Sequence, residues 1–457
     1  MLSWLVQRRS CQDAAFLRRC FLCLVYGASS LLAVFTANAQ AGGALTSGSD
    51  AAATGRGGTV LASSGDPLAA VEGNPAGLAG ITRPSLNLGG KGLLPSGSFR
   101  NSVDQHGYLQ STGGAMAFFA LAGPLPRASR TIAVIAITPE ALLRASWRYI
   151  DPPGTAGASY GLQTNESQIV ALRTSFGLAR SFGSRWAAGG TLGLVYNSNH
   201  LNAPYIFQQQ PQLAGLKVLL HLVTSGFGWN GSAGAQWQPS SSLRLGAAWK
   251  SGTWIATHGQ AYGTASAQFA ALGITADPVY HYRATVATRL PPSAGLGATW
   301  KQNSRLAWSL DGSWTGWQAA FRQLPITLSQ GSNATINSLT GPIVVDSIPL
   351  HWRNQGGVRV GAEVPLRERW TVRGGYAYMS NPVPSATLTP VTAAILRNSL
   401  TTGAGWSRGR TACNLAYQVQ LPTSQSVDVS TLQAGEYSGT RVQVMTQSLT
   451  ITLHVRL

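Results

Sequence analysis

From about residue 84 to its end the chain repeats one pattern, in which apolar side chains fall on every second position of short stretches. In Leu243-Arg244-Leu245-Gly246-Ala247-Ala248-Trp249 the odd positions are apolar and the even ones small or charged. Leu306, Trp308, Leu310 and Trp314 alternate with Arg305, Ser309, Asp311 and Ser313, and Trp370, Val372, Tyr376 and Tyr378 with Thr371, Arg373 and Gly375. The last stretch sets Leu449, Ile451, Leu453, Val455 and Leu457 against Thr450, Thr452, His454 and Arg456. A period of two puts one set of side chains on each face of an extended strand. Each stretch runs to roughly 9–11 residues, what a tilted strand needs to cross a bilayer. Tight turns at Gln238-Pro239-Ser240-Ser241, Lys301-Gln302-Asn303-Ser304 and Pro365-Leu366-Arg367-Glu368 alternate with long connections at 199–216, 258–283, 318–350 and 421–440. Short turns on one side and long loops on the other are the habit of outer-membrane barrels. In lipid no backbone N–H or C=O goes unpaired, so the pattern predicts an all-β chain closed into a transmembrane antiparallel barrel over 84–457.

Composition supports this reading. Charged residues are 11% of the chain, with 53 Gly, 14 Trp and 13 Tyr; soluble domains average roughly 25% charged. Past residue 39 no apolar run reaches the roughly 18 residues of a membrane helix, so strands must do the spanning. The net charge of +18 comes almost wholly from Arg. The arginines are scattered along the sequence, which argues against nucleic acid as a partner and for lipid phosphate, including lipopolysaccharide, or solvated loop charge.

The N-terminus reads as a secretion signal over 1–39. Arg8, Arg9, Arg18 and Arg19 precede an apolar run from Cys20 to Phe35, then Ala37-Asn38-Ala39, a small-x-small cleavage pattern. Arg18-Arg19 also suits a twin-arginine signal, but that route carries folded cargo and a barrel must cross unfolded. Cys11, Cys20 and Cys23 fall in the signal, leaving Cys413 without an intrachain partner. Residues 40–83 are rich in Gly, Ala and Ser, show little alternation and contain Gly73-Asn74-Pro75-Ala76-Gly77-Leu78; they suit a compact plug or a disordered tail.

No catalytic residue, metal site or cofactor is expected. Gly157-Ala158-Ser159-Tyr160-Gly161 and Gly405-Trp406-Ser407-Arg408-Gly409 match G-x-S-x-G but lack the strand-to-helix turn a hydrolase needs. Gly226-Phe227-Gly228-Trp229-Asn230-Gly231 opens a strand rather than a helix, and the His residues are dispersed.

Four stretches together resemble the outer-membrane long-chain fatty-acid transporters, a family that also includes aromatic-hydrocarbon channels. They are Gly55-Arg56-Gly57 with Asp66-Pro67 and Gly73 to Leu78; Gly226 to Asn230 with Leu245 to Ser251; Asp311-Gly312-Ser313-Trp314-Thr315-Gly316-Trp317; and Trp370 to Tyr378 with Asn381-Pro382-Val383-Pro384. The resemblance implies fourteen strands, an N-terminal hatch over 40–83 inside the lumen, an apolar lumenal pocket and sideways release through the wall. It also implies barrel-assembly machinery as a partner in biogenesis. The chain ends on Leu457 where assembly signals usually carry an aromatic residue, which bears on assembly and not on the fold.

The expected function is therefore outer-membrane passage of hydrophobic small molecules, long-chain fatty acids first, with release to the side or to the periplasm. The alternatives are an aromatic-hydrocarbon channel and a barrel of the same fold serving secretion or assembly. Leu201, Tyr205, Ile206, Phe207, Phe269 and Leu272 are candidates for an extracellular capture groove, or they pack the loops on each other. Asn74, Pro75, Ala76 and Gly77 are the candidate hatch latch, or merely hold its shape. Pro139 interrupts the run Thr131 to Ile137 and either marks a gap in the wall or ends the strand.

Overall fold

The computed structural model describes residues 48–457 except 111, 112, 127 and 368; the expected signal, 1–39, and residues 40–47 of the expected hatch lie outside the described residues. Nineteen strand segments form one antiparallel sheet closed on itself. The first six spans are β1 (Ser85–Arg100), β2 with β3 (Gly107–Leu109, Gly114–Leu125), β4 (Ala128–Ile150), β5 (Leu162–Phe182), β6 (Trp186–Ile206) and β7 (Lys217–Trp237). Four two-piece spans follow: β8 with β9 (Leu243–Lys250, Thr253–Thr264), β10 with β11 (Val279–Leu290, Ser293–Asn303), β12 with β13 (Leu306–Thr315, Gln323–Ser329) and β14 with β15 (Ile343–Pro349, Gln355–Arg367). The last are β16 (Trp370–Met379), β17 (Asn398–Arg408), β18 (Thr411–Val427) and β19 (Thr440–Arg456). Five spans are thus made of two segments each, and the barrel has fourteen strands. Closure is complete along β1 and β19, in register from Ser85 opposite Arg456 to Arg100 opposite Arg441.

The spans are longer than the alternation suggested. β4 has 23 residues and β5, β6 and β7 have 21 each. The ladder continues past the lipid, where both faces meet loops or water and the greasy/polar alternation has no cause to persist. The expected loop at 199–216 therefore shrinks to the residues between β6 and β7, and that at 258–283 to those between β9 and β10.

Tryptophans mark the short-turn end. Trp186 faces Trp237, Trp300 faces Trp308 and Trp370 faces Trp406 across neighbouring strands. The first pair stacks at 5.4 Å and 12°. Such rings settle at the headgroup level of a bilayer. Arg180, Arg185, Arg305, Arg369, Arg408, Arg410 and Arg456 are exposed at the same end, so arginines scattered in sequence gather in space.

Gly48 to Arg83 packs against the inner wall. The helix Ala51–Gly55 is capped by Asp50, the helix Pro67–Glu72 by Asp66 with proline at its first position, and the 3-10 turn Pro75–Gly80 by Asn74. Leu68, Val71, Leu78 and Ile81 bury against Phe118, Ile132 and Val134 of the wall. Elsewhere backbone meets backbone. A Cβ on Gly246 would stand 1.9 Å from the Leu61 carbonyl oxygen, one on Gly361 2.3 Å from that of Arg56, and one on Gly375 2.2 Å from the Gly57 nitrogen. Wall glycines thus form the seat on which this segment rests. Polar ties complete it: Asp311 accepts from the Val60 and Leu61 N–H groups at 2.7 and 3.1 Å, and Glu363 pairs with Arg56 at 2.9 Å and Arg373 at 2.6 Å.

Gly246→Leu is expected to lift the segment from its seat while the barrel stays closed. Limited proteolysis within 48–83 should then speed up roughly tenfold or more, the equivalent of about 1.4 kcal/mol, with heat-modifiable migration on gels unchanged. Unaltered proteolysis would show that the glycine seat does not hold the segment.

Candidate functional site

At the long-loop end two apolar cavities adjoin. The outer, of about 290 Å³, is lined by Phe207, Leu213 and Leu216 before β7, Val218 and Leu220 within it, Phe269 and Leu272 of the helix Ser266–Leu272, Tyr280 and Tyr282 of β10, and Ile326 and Leu328 of β13. That helix stops at Gly273, which takes the left-handed conformation at φ 68°. Phe269 and Leu272, three residues apart, share one helix face toward the cavity. The inner cavity, of about 120 Å³, is lined by Leu143, Ile169, Leu201, Ile206, Leu222, Phe321, Ile348 and Trp352, with Glu436 and Tyr437. Tyr205 and Ile326 border both.

The candidate groove residues are thus divided between the two. Phe207, Phe269 and Leu272 line the outer cavity, Leu201 and Ile206 the inner, and Tyr205 stands between them. Leu272 is exposed at the rim, whereas Ile206 is buried.

Charge is present here, and each charged side chain is held by polar partners. Asp346, on β14, accepts from the N–H groups of Gln208, Gln209 and Gln210 at 2.9, 2.6 and 3.2 Å and from the Tyr205 hydroxyl, so it ties down the loop that walls the outer cavity. Lys217, wholly buried, donates to Asp151 at 2.6 Å and to the Pro152 carbonyl, and lies 3.3 Å from Glu436. One cation thus serves two carboxylates on different loops. None of these residues stands out in sequence, although a lone Lys217 within Leu216-Lys217-Val218-Leu219-Leu220 and a lone Asp346 after Ile343-Val344-Val345 are usable signals.

Toward the short-turn end the lumen turns polar. Buried Arg173 donates to Asn230, Ser175 and Thr191, and Glu140 pairs with Lys250 at 2.8 Å. A further cavity of about 150 Å³ between the N-terminal segment and the wall is lined by Glu72, Glu140, Lys250, Asp311 and Arg359. Asn74 lies in this lower region, where its amide donates to the Leu61 and Ala235 carbonyls, joining the segment to the wall, while its oxygen accepts from Ala76 N–H.

Pro139 lies within β4, opposite Leu172 of β5, at a shift of register between Pro139 and Ala141. The strand does not end there. On its other edge, pairing with β3 ends at Phe119 opposite Ile137 and resumes only where Leu109 of β2 faces Trp147. From Thr138 to Leu143, β4 has no ladder partner on that edge among the described residues. Leu93, Met116, Leu142 and Val170 cluster beside this stretch.

The family model described as outer membrane protein transport protein (OMPP1/FadL/TodX) matches residues 32–456. Among solved structures, a Pseudomonas aeruginosa FadL homologue superposes with a TM-score of 0.72 at 18% identity, covering 91% of this chain and 99% of that one. The Ralstonia pickettii toluene transporter TbuX gives 0.69 at 19%, covering 89% and 98%, and the Pseudomonas putida toluene transporter TodX 0.70 at 16%, covering 89% and 97%. No curated protein matches the sequence.

Burial and the nearby Asp151 push the Glu436 carboxyl up to about 7, against the attraction of Lys217. Asp151 and Lys217 are the charged groups that act on it, and Tyr149, Tyr205 and Tyr437 feel its charge in turn. A raised carboxyl favours the closed loops fully below its ordinary range near 4.5, and that contribution is lost as pH climbs through about 7. Loop 428–439 should accordingly show weaker hydrogen-exchange protection at pH 8 than at pH 5 after correction for intrinsic rates, and Glu436→Gln should flatten the difference. Equal protection at both pH values in the unaltered protein would contradict this.

Proposed function

Because the chain belongs to the OMPP1/FadL/TodX family of outer-membrane transport proteins, which carry hydrophobic compounds across that membrane, we propose a route with three stations for an uncharged hydrophobic ligand. The ligand is captured in the outer cavity by Phe207, Phe269 and Leu272, passes Tyr205 into the inner cavity, and leaves sideways beside Leu142. The observation that carries this reading is the contrast within the lumen. Both upper cavities are mainly apolar, whereas the space beneath is lined by Glu72, Glu140, Lys250, Asp311 and Arg359.

Burying apolar surface gains roughly 25 cal/mol per Å², so a small hydrocarbon is held weakly at each apolar station and released to the next. Moving it down the axis would strip water from charges with no return, since a hydrocarbon offers them no hydrogen bond. The edge from Thr138 to Leu143, without a ladder partner among the described residues and flanked by Leu93, Met116, Leu142 and Val170, offers an apolar way out. In this reading Pro139, which lacks an N–H to donate, keeps that edge from being repaired.

The saturated charges favour a neutral ligand over the long-chain fatty acid expected from sequence. A carboxylate in these cavities would meet Asp346 and Glu436, while Lys217 is already engaged by Asp151. The names of TbuX and TodX, toluene transporters, fit this preference.

Uptake into proteoliposomes tests the route. Phe207→Asp should lower uptake of labelled toluene roughly tenfold or more, as expected for a charge placed in an apolar cavity. Leu142→Trp should lower uptake while toluene still binds the purified protein. Unchanged uptake with Phe207→Asp discards the capture role, and unchanged uptake with Leu142→Trp discards sideways release. Faster uptake of oleate than of toluene would reverse the ligand assignment.

A further inference from the structure

The inner cavity is not uniformly apolar. Asn199, Trp352 and Glu436 line it and all three are buried; Asn199 Oδ1 and Trp352 Nε1 have no hydrogen-bond partner among the described residues, and Glu436 Oε1 has only the Lys217 ammonium at 3.3 Å. The outer cavity has no comparable set among its lining residues. Asn199 is held from one side, its Nδ2 lying 3.3, 3.1 and 2.8 Å from the hydroxyls of Thr224, Thr257 and Thr288. Those hydroxyls can accept or donate, so whichever way the amide is turned one end of it remains free. Trp352 is fixed edge-on against Trp317 and Phe321, with ring centroids 5.0 and 4.8 Å away, and its N–H can only donate. Glu436 stands within ion-pair range of Lys217, but the hydrogen bonds of that ammonium go to Asp151 and the Pro152 carbonyl.

We propose that the inner cavity is a selectivity site for hydrophobic molecules bearing a hydroxyl group, such as alkylphenols, in preference to plain hydrocarbons of the same shape. A hydroxyl is the smallest group that both donates and accepts, which is what a free amide end, an indole N–H and a carboxyl together require. The remaining lining, including Leu222, Phe321 and Ile348, suits an apolar ring or chain. A buried polar group left unpaired is costly, so a ligand that satisfies it is favoured over one that cannot. A carboxylate ligand finds no free cation in this set, since Lys217 is engaged by Asp151 and Glu436. This inference rests on the reading of the cavities as a route for hydrophobic ligands and adds to it which ligand is selected.

The pair p-cresol and p-xylene, which exchange a hydroxyl for a methyl at nearly constant shape, provides the test. Equilibrium dialysis against the purified barrel in lipid nanodiscs, with empty nanodiscs subtracted, is expected to give p-cresol at least a tenfold tighter Kd. Trp352→Phe and Asn199→Leu should each shrink that ratio several-fold. A ratio near one in the unaltered protein, the result expected if water alone serves these groups, overturns the proposal and leaves the transport reading standing. Failure of both ligands to bind removes the transport reading as well. Variants that weaken both ligands equally and preserve the ratio show that these side chains do not select, and also overturn it.

Discussion

Hydrocarbon offers a peptide group no hydrogen bond, and the rest of this structure follows from that constraint. Each exposed N–H or C=O inside the bilayer costs several kcal/mol, so a sheet that spans must close. Closure is achieved by the full-length pairing of the first and last strands. Against that background the edge of β4 from Thr138 to Leu143 is an exception, with no ladder partner among the described residues. A proline and a shift of register lie in that stretch, and an apolar side-chain cluster beside it. Exceptions of this kind persist where a function needs them, which is why this part of the wall, and not a loop, is read as the exit.

Closing fourteen strands leaves a lumen too wide for side chains to fill, so something else must block it. In the proposed route the N-terminal segment does this, burying Leu68, Val71, Leu78 and Ile81 against the wall. Its short helices are capped by Asp50, Asp66 and Asn74, which satisfies the backbone groups at their starts. The wall meets it with glycines, because only a residue without a side chain lets Leu61 and Arg56 bring their carbonyls so close. The abundance of glycine in the composition therefore has a local cause, since several of these residues form a seat cut into the barrel.

What can be read from the sequence is what lipid imposes. Leu449 to Leu457 and Trp370 to Tyr378 alternate because one face touches acyl chains, and those strands lie where the alternation places them. Beyond the bilayer that pressure ends, and so the upper parts of β4 to β7 look like loops in the sequence. Phe207, Phe269 and Leu272 are legible as greasy residues in polar surroundings, but the division of the groove candidates between two cavities depends on the packing of β6, β7, β10 and β13, which no local pattern encodes. Asp311 reads only as one more inward polar position; that it receives two N–H groups of a segment about 250 residues away is a matter of tertiary geometry. The arginines look dispersed because most short turns supply only one or two, and only closure collects them at one rim.

In the proposed route, the sequence of environments in the lumen would set the direction of travel without an energy source. A hydrophobic solute gains on leaving water for the outer cavity, gains similarly in the inner one, and would lose in the charged layer around Arg173, Glu140 and Lys250. Its remaining favourable step is into the membrane itself, where the apolar volume is effectively unlimited. A barrel that binds such a solute too well would stop there, since the depth of each station is the barrier to the next. Modest apolar cavities keep each station shallow for a plain hydrocarbon. Asp311 and Glu363 also tie the N-terminal segment to the wall, so in the proposed route the contacts that hold this segment across the axis are the ones that would favour the lateral path.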